Sequence, residues 1–222
     1  MKRLIAVCAG LLMLVVPAAA ESPTAVVEEV QGKVTSAEFM DYVTPKTVIK
    51  LGAKSSVIIS YLKSCRREKI SGLGTVIVGT DESFVQFADV KAEKTECDSA
   101  QSQATTKATS EVAATVLRSI AKSAPSTIKP QLTLYGTSPV VEAKGRGTLV
   151  VERLDVKGER QQIELNGSQA KGKFYDFAST NRALEPGGIY SASFGSATIV
   201  FRIDPQAKPG TTPIVGRLIR LE

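Results

Sequence analysis

From Thr24 to Val90 the chain passes through short stretches in which apolar and polar positions partly alternate: AVVEEV (25–30), TVIKL (47–51), SVIISYL (56–62), TVIV (75–78) and SFVQFADV (83–90). β-Branched residues in such a pattern predict half-buried strands. Gly32, Gly52, Gly72, Gly74 and Gly79 punctuate them and supply turns or bulges. A spacing of about ten residues between runs predicts a sandwich, barrel or β-roll rather than βαβ units.

The pattern changes between Cys97 and Pro130. A Ser/Gln/Thr tract with little to bury comes first. Ser110 and Glu111 then open a stretch with Val112, Val116, Leu117 and Ile120 on one face, and Pro125 stops it. Ser110 is an N-cap residue type, so the spacing predicts one helix over 110–123 inside a polar linker, 99–130.

Beyond Gln131 the β pattern returns in LTLY (132–135), TLVVERL (148–154), QQIEL (161–165), KFYDF (173–177), IYSASF (189–194) and ATIVFRI (197–203). Asn166-Gly167 and Pro186-Gly187-Gly188 are turn signals. Strands this dense predict a small immunoglobulin-like sandwich. The chain has no Trp, so Phe174, Tyr175, Phe177 and the aliphatics must fill its core. The fold class expected is mainly β: two small β-modules, 24–98 and 131–222, joined by a linker carrying one helix.

The first twenty residues change where this architecture is expected to reside. Lys2 and Arg3, the apolar Leu4–Val16 and the small Ala18-Ala19-Ala20 form the three parts of a secretory signal peptide. The apolar part is shorter than the ~20 residues that span a bilayer. Cleavage near Ala20 is the favoured reading over retention as an anchor, and it places the protein in the periplasm with no transmembrane span. Cys8 lies too early, after Val7, for a lipoprotein site.

Cleavage also removes Cys8 and leaves Cys65 and Cys97, expected to pair in an oxidising compartment. Arg66 and Arg67 would favour a thiolate at Cys65, which is the competing reading. The chain contains no His to act as its general base, so the disulfide is preferred. The missing His also removes the usual zinc sites and His-based acid–base catalysis. No spacing of Ser, Lys, Asp or Glu singles out a reactive pair, and no metal or cofactor is expected.

The formal charge of +6 falls to +4 once Lys2 and Arg3 are gone, and the cations are spread along the chain. That differs from the concentrated footprint of a nucleic-acid binder. One local cluster, Lys63, Arg66, Arg67 and Lys69, is the candidate partner-binding site, for an anionic glycan, a lipid headgroup or an acidic protein face. The bland alternative is a solvated hairpin end.

Val30-Gln31-Gly32-Lys33-Val34, followed by Leu51-Gly52-Ala53-Lys54-Ser55-Ser56-Val57-Ile58-Ile59, resembles the periplasmic domain of the FecR family of envelope regulators. Lys63-Ser64-Cys65 departs from that pattern, standing where the family has an Asp-Gly turn. Leu184-Glu185-Pro186-Gly187-Gly188-Ile189-Tyr190 with Thr198–Ile203 resembles the small immunoglobulin-like domains of bacterial envelope proteins. Neither resemblance brings a catalytic residue. Together they imply an exported bacterial protein of FecR-like plus sandwich architecture. The export signal, two β-modules, disulfide and lack of a reactive constellation point to a non-enzymatic periplasmic binding or adaptor protein with an envelope protein as partner. An accessory to a membrane-bound envelope sensor or regulator is one form of it. The alternative is an envelope-associated structural or anionic-glycan-binding module.

Overall fold

The computed structural model describes residues 21–99, 129–166, 173–211 and 213–221. The signal peptide expected over 1–20 and the helix expected over 110–123 lie outside the described residues. The fold is mainly β, as the alternation predicts.

The first half holds nine strands: β1 (Ala25–Gln31), β2 (Val34–Thr35), β3 (Tyr42–Val43), β4 (Val48–Leu51), β5 (Ser56–Tyr61), β6 (Arg66–Ser71), β7 (Gly74–Val78), β8 (Ser83–Gln86) and β9 (Asp89–Lys94). They form two sheets, ordered β3-β1-β5-β6-β9 and β2-β4-β7-β8. Between them lies a core that includes Val27, Ile49, Val57, Ile59, Tyr61, Ile70 and Val76. Gly74 opens β7 because its neighbours leave no room for a side chain. A Cβ there would stand 2.4 Å from the Gln86 carbonyl and 2.8 Å from Ala88 Cβ.

The second half holds β10 (Leu132–Gly136), β11 (Val140–Ala143), β12 (Gly147–Arg153), β13 (Arg160–Leu165), β14 (Phe174–Asp176), β15 (Ile189–Phe194), β16 (Ala197–Lys208) and β17 (Leu218–Leu221). A sheet ordered β10-β16-β15-β12-β13 faces a smaller sheet ordered β14-β11-β17 across the largest apolar cluster. Two pairs, β10 with β16 and β11 with β17, are parallel, and the remaining pairs are antiparallel. Tyr175 meets Phe177 edge-on at 5.4 Å, and Tyr190 stacks on Phe201 at 5.7 Å.

Alternation explains how the halves join. On β1, Ala25 and Val27 point into the first core, while Val26 joins a third cluster. On β11, Val141 and Ala143 point into the second core, while Val140 joins the same third cluster. Met40, Leu62, Phe174, Ile214, Val215 and Leu218 complete it. The described sheets therefore stack in four layers, and the two middle sheets are buried on both faces at this seam. Gly216 reaches it at very close range, since a Cβ there would stand 2.6 Å from the Glu96 carbonyl.

Two buried carboxylates clasp the seam from opposite sides. Glu28 is the extra residue of a bulge between Val27 and Glu29. Its Oε2 accepts from Arg67 Nε at 2.7 Å, and its Oε1 accepts from the backbone of Ile214 at 2.6 Å and of Val215 at 3.4 Å. From the other half, Glu142 Oε2 accepts from the Tyr42 hydroxyl at 2.8 Å. Lys173 lies 3.5 Å from the Glu142 carboxylate and 4.9 Å above the Tyr42 ring. Buried charge is tolerated here because each carboxylate has partners.

Cys65 and Cys97 are disulfide-bonded, with Cα atoms 5.6 Å apart. The bond ties the β5–β6 turn to the chain leaving β9, beside the seam cluster that Cys97 touches. Thr95 reinforces the junction by donating its backbone N–H to the Cys65 carbonyl at 2.8 Å.

Candidate functional site

The four cations singled out in the sequence do not stand together as one open patch. Arg66 and Arg67 are neighbours on β6, so their side chains leave the strand on opposite faces. Arg66 Nε donates to Glu68 Oε1 at 2.6 Å, and Arg66 Nη2 lies 3.4 Å from Glu82. Arg67 is engaged by Glu28 and, through Nη1 at 2.7 Å, by Glu93. Burial opposes the charge on Arg67, but the hydrogen bonds to the two carboxylates outweigh it and its pKa is raised. Lys63 stays exposed in the β5–β6 turn.

Lys69 is the exception, because the register of β6 against β9 sets it directly opposite Lys91. A shallow pocket of about 440 Å³ is lined by these two lysines, Lys54, Ser55, Ser56, Ser71 and Gly72. Lys54 and Lys91 could not be found from spacing along the chain, since only strand pairing brings them to Lys69.

The Arg66–Glu68 pair has a positioning role instead. Glu68, 1% exposed at its side chain, accepts the backbone N–H of Ser83 at 3.1 Å. Ser83 Oγ shares a 2.7 Å hydrogen bond with the buried Tyr61 hydroxyl. Burial is the largest cause that pushes the Tyr61 phenol up to about 12; the Ser83 hydrogen bond pulls against it and the Glu68 charge adds to it. This network anchors the first residue of β8 to the core.

Beyond that anchor, β8 is open. It is an edge strand, and among the described residues no strand pairs with its far side. Registers across this sheet place Val48 opposite Ile77, and Ile77 opposite Phe84, in one apolar row. Val48 is 42% exposed, Phe84 63%, and Phe87, just past the strand, 95%. Phe87 also holds a φ of 65°. A bulky side chain is rarely found in that left-handed region, which costs an L-residue about 1–2 kcal/mol.

The next strand shows the contrast. β9 is also an edge, but its sequence DVKAEK carries Asp89, Lys91, Glu93 and Lys94, the charge that guards edges against pairing. β8, SFVQ, carries none. A further cleft of about 520 Å³ follows the seam past Glu93, Glu96, Tyr135, Lys208 and Arg217. Its Arg217 is fully engaged with Asp176, Ser138 and Thr211. Among the described residues no group of three or more His, Cys, Asp or Glu could hold a metal ion, and no helix is long and apolar enough to cross a membrane.

Comparison with protein-family models, with curated proteins and with solved structures finds no match to this chain.

Proposed function

We propose that this chain is a non-enzymatic, exported adaptor that takes an extended segment of an envelope protein onto the free edge of β8. One observation carries the reading: Phe87 is 95% exposed in a backbone conformation that disfavours it, beside the exposed Phe84. Neither packing among the described residues nor backbone preference accounts for Phe there, whereas a partner's apolar side chains would. An added strand would supply main-chain hydrogen bonds to β8, and alternate apolar residues would cover Val48, Ile77 and Phe84. Such rows, when uncovered, mark interaction surfaces.

Export to the periplasm is supported by the leader pattern of residues 1–20 and by the Cys65–Cys97 bond. The two facing sheets of each half fit the β-sandwich class; the FecR-like and immunoglobulin-like readings rest on the sequence resemblances alone. Action on a membrane-bound sensor would follow from preferring one of its conformations.

A photoreactive residue at position 84, crosslinked in the cell, tests the docking face against the same residue at the exposed position 156 of the second half. The expected result is one discrete adduct from 84, absent from 156, and lost when Phe87→Gly is added to a chain that still folds. The same adducts from both positions, or an adduct indifferent to Phe87→Gly, would overturn the reading.

A further inference from the structure

The geometry points to a second site, on the opposite sheet of the first half, for a phosphate-bearing ligand held by Lys54, Lys69 and Lys91 with the hydroxyls of Ser56 and Ser71. Lys69 and Lys91 face each other across β6 and β9. Like charges directly opposite each other destabilise a sheet. Among the described residues no carboxylate lies within ion-pair distance of either, or of Lys54. The nearest acids by register are committed elsewhere or stand outside the pocket. Glu93, two pairs along and so on the same face, is taken by Arg67. Glu29, on β1, accepts from Gln31. Asp89 lies opposite Ser71 but does not line the pocket.

The neutral groups suit the same ligand. Ser56 and Ser71 are themselves paired across β5 and β6, two pairs from Lys69 and so on its face, and both line the pocket. The pocket thus offers three ammonium groups and two hydroxyls on a concave floor. Lysine binds phosphate as a point charge, through charge-assisted hydrogen bonds. A phosphate monoester carries up to two negative charges and three acceptor oxygens, so it can neutralise the Lys69–Lys91 pair and still reach Lys54. The open mouth leaves the remainder of the ligand in solvent, so a soluble phosphate ester and a lipid headgroup share the chemistry required.

Three probes test this on the full, disulfide-bonded chain: inorganic phosphate, glucose 1-phosphate, and vesicles of phosphatidic acid, whose headgroup is a phosphate monoester, in phosphatidylcholine. Inorganic phosphate is expected to raise the melting temperature above that in chloride at equal ionic strength. Glucose 1-phosphate binding, followed by calorimetry, is expected to weaken by about tenfold or more in the combined Lys54→Gln, Lys69→Gln and Lys91→Gln chain. Lys50→Gln, on the other sheet, should leave it unchanged. The single Lys91→Gln change relieves the repulsion, so it should raise the melting temperature without phosphate and shrink the increment phosphate gives. Binding of glucose 1-phosphate without vesicle binding assigns a soluble ester; lysine-dependent binding to the vesicles assigns a headgroup. Equal effects of phosphate and chloride, or a triple variant that binds like the parent, would overturn the site.

Discussion

The first half has two outer faces that carry apolar residues, and the molecule treats them differently. On the β1/β5 side, Val26, Met40 and Leu62 are covered by Val140, Phe174 and Leu218 of the second half. On the β4/β7/β8 side, the exposed Val48 and Phe84 flank the half-buried Ile77 in a row on which no further strand or sheet packs among the described residues. At the covered face, polar groups are brought in and paired, as Glu28 and Glu142 show. At the open face, one Phe stands almost fully in solvent with a strained backbone. The seam shows how an apolar face of this protein is covered, and among the described residues nothing of that kind meets the β8 face.

Breaking the seam should have the largest effect. Glu28→Ala leaves the Ile214 and Val215 N–H groups without their acceptor and half-strips Arg67. Loss of one partner from a buried pair costs on the order of 3 kcal/mol or more. Urea unfolding should show that loss, and the second half should open from the first before its own core melts. A single unshifted transition would mean that the clasp contributes little.

Removing the staple comes close behind. The disulfide closes a loop across a sequence separation of 32. A loop of that length is worth roughly 3–4 kcal/mol through its restriction of the unfolded chain. The paired change Cys65→Ser and Cys97→Ser should lower the urea midpoint accordingly. Because Cys97 also touches the seam cluster, combining it with Glu28→Ala should cost less than the two losses added.

A smaller effect separates the anchor of β8 from its free edge. The Tyr61 phenol is raised to about 12 in the folded protein, against about 10 in the unfolded chain. The unfolded state therefore releases its proton first as pH climbs. This group's stabilisation is complete below pH 10 and is lost progressively as pH rises through 12, by on the order of 2 kcal/mol. Tyr61→Phe should flatten that alkaline fall while lowering stability at neutral pH through loss of the Ser83 hydrogen bond. An unchanged slope between pH 10 and 12 would move the alkaline sensitivity elsewhere.

The same contrast governs what the sequence could reveal. Strands with buried faces were legible, because TVIV alternates along one buried face and SVIISYL, buried at every residue of β5, runs apolar as burial demands. β6 was not, since RREKIS buries Glu68 and Ile70 among charges that read as surface. β9 is exposed at every residue, so no burial pattern exists to mark it. SFVQFADV reads as one run but breaks at Phe87, where the positive φ carries the chain from one sheet to the other. The cysteine pair was legible from count and compartment alone. The candidate sites were not: Lys54 joins Lys69 and Lys91 through strand pairing, and the Glu28 clasp joins residues 186 apart in the chain.

The smallest expected effect on stability is the sharpest test of the comparison. Phe87→Gly relieves a left-handed strain of about 1–2 kcal/mol but frees the unfolded backbone by about 0.5–1 kcal/mol. No packing is lost, because the ring is 95% exposed. The two terms oppose each other, so the urea midpoint should stay within about 1 kcal/mol of the parent, on the stabilised side. A ring that held the fold together would instead show the loss of about 3 kcal/mol or more that truncating a core Phe brings. A near-silent change in stability, together with loss of the crosslink from position 84, would separate the binding face from the fold that carries it.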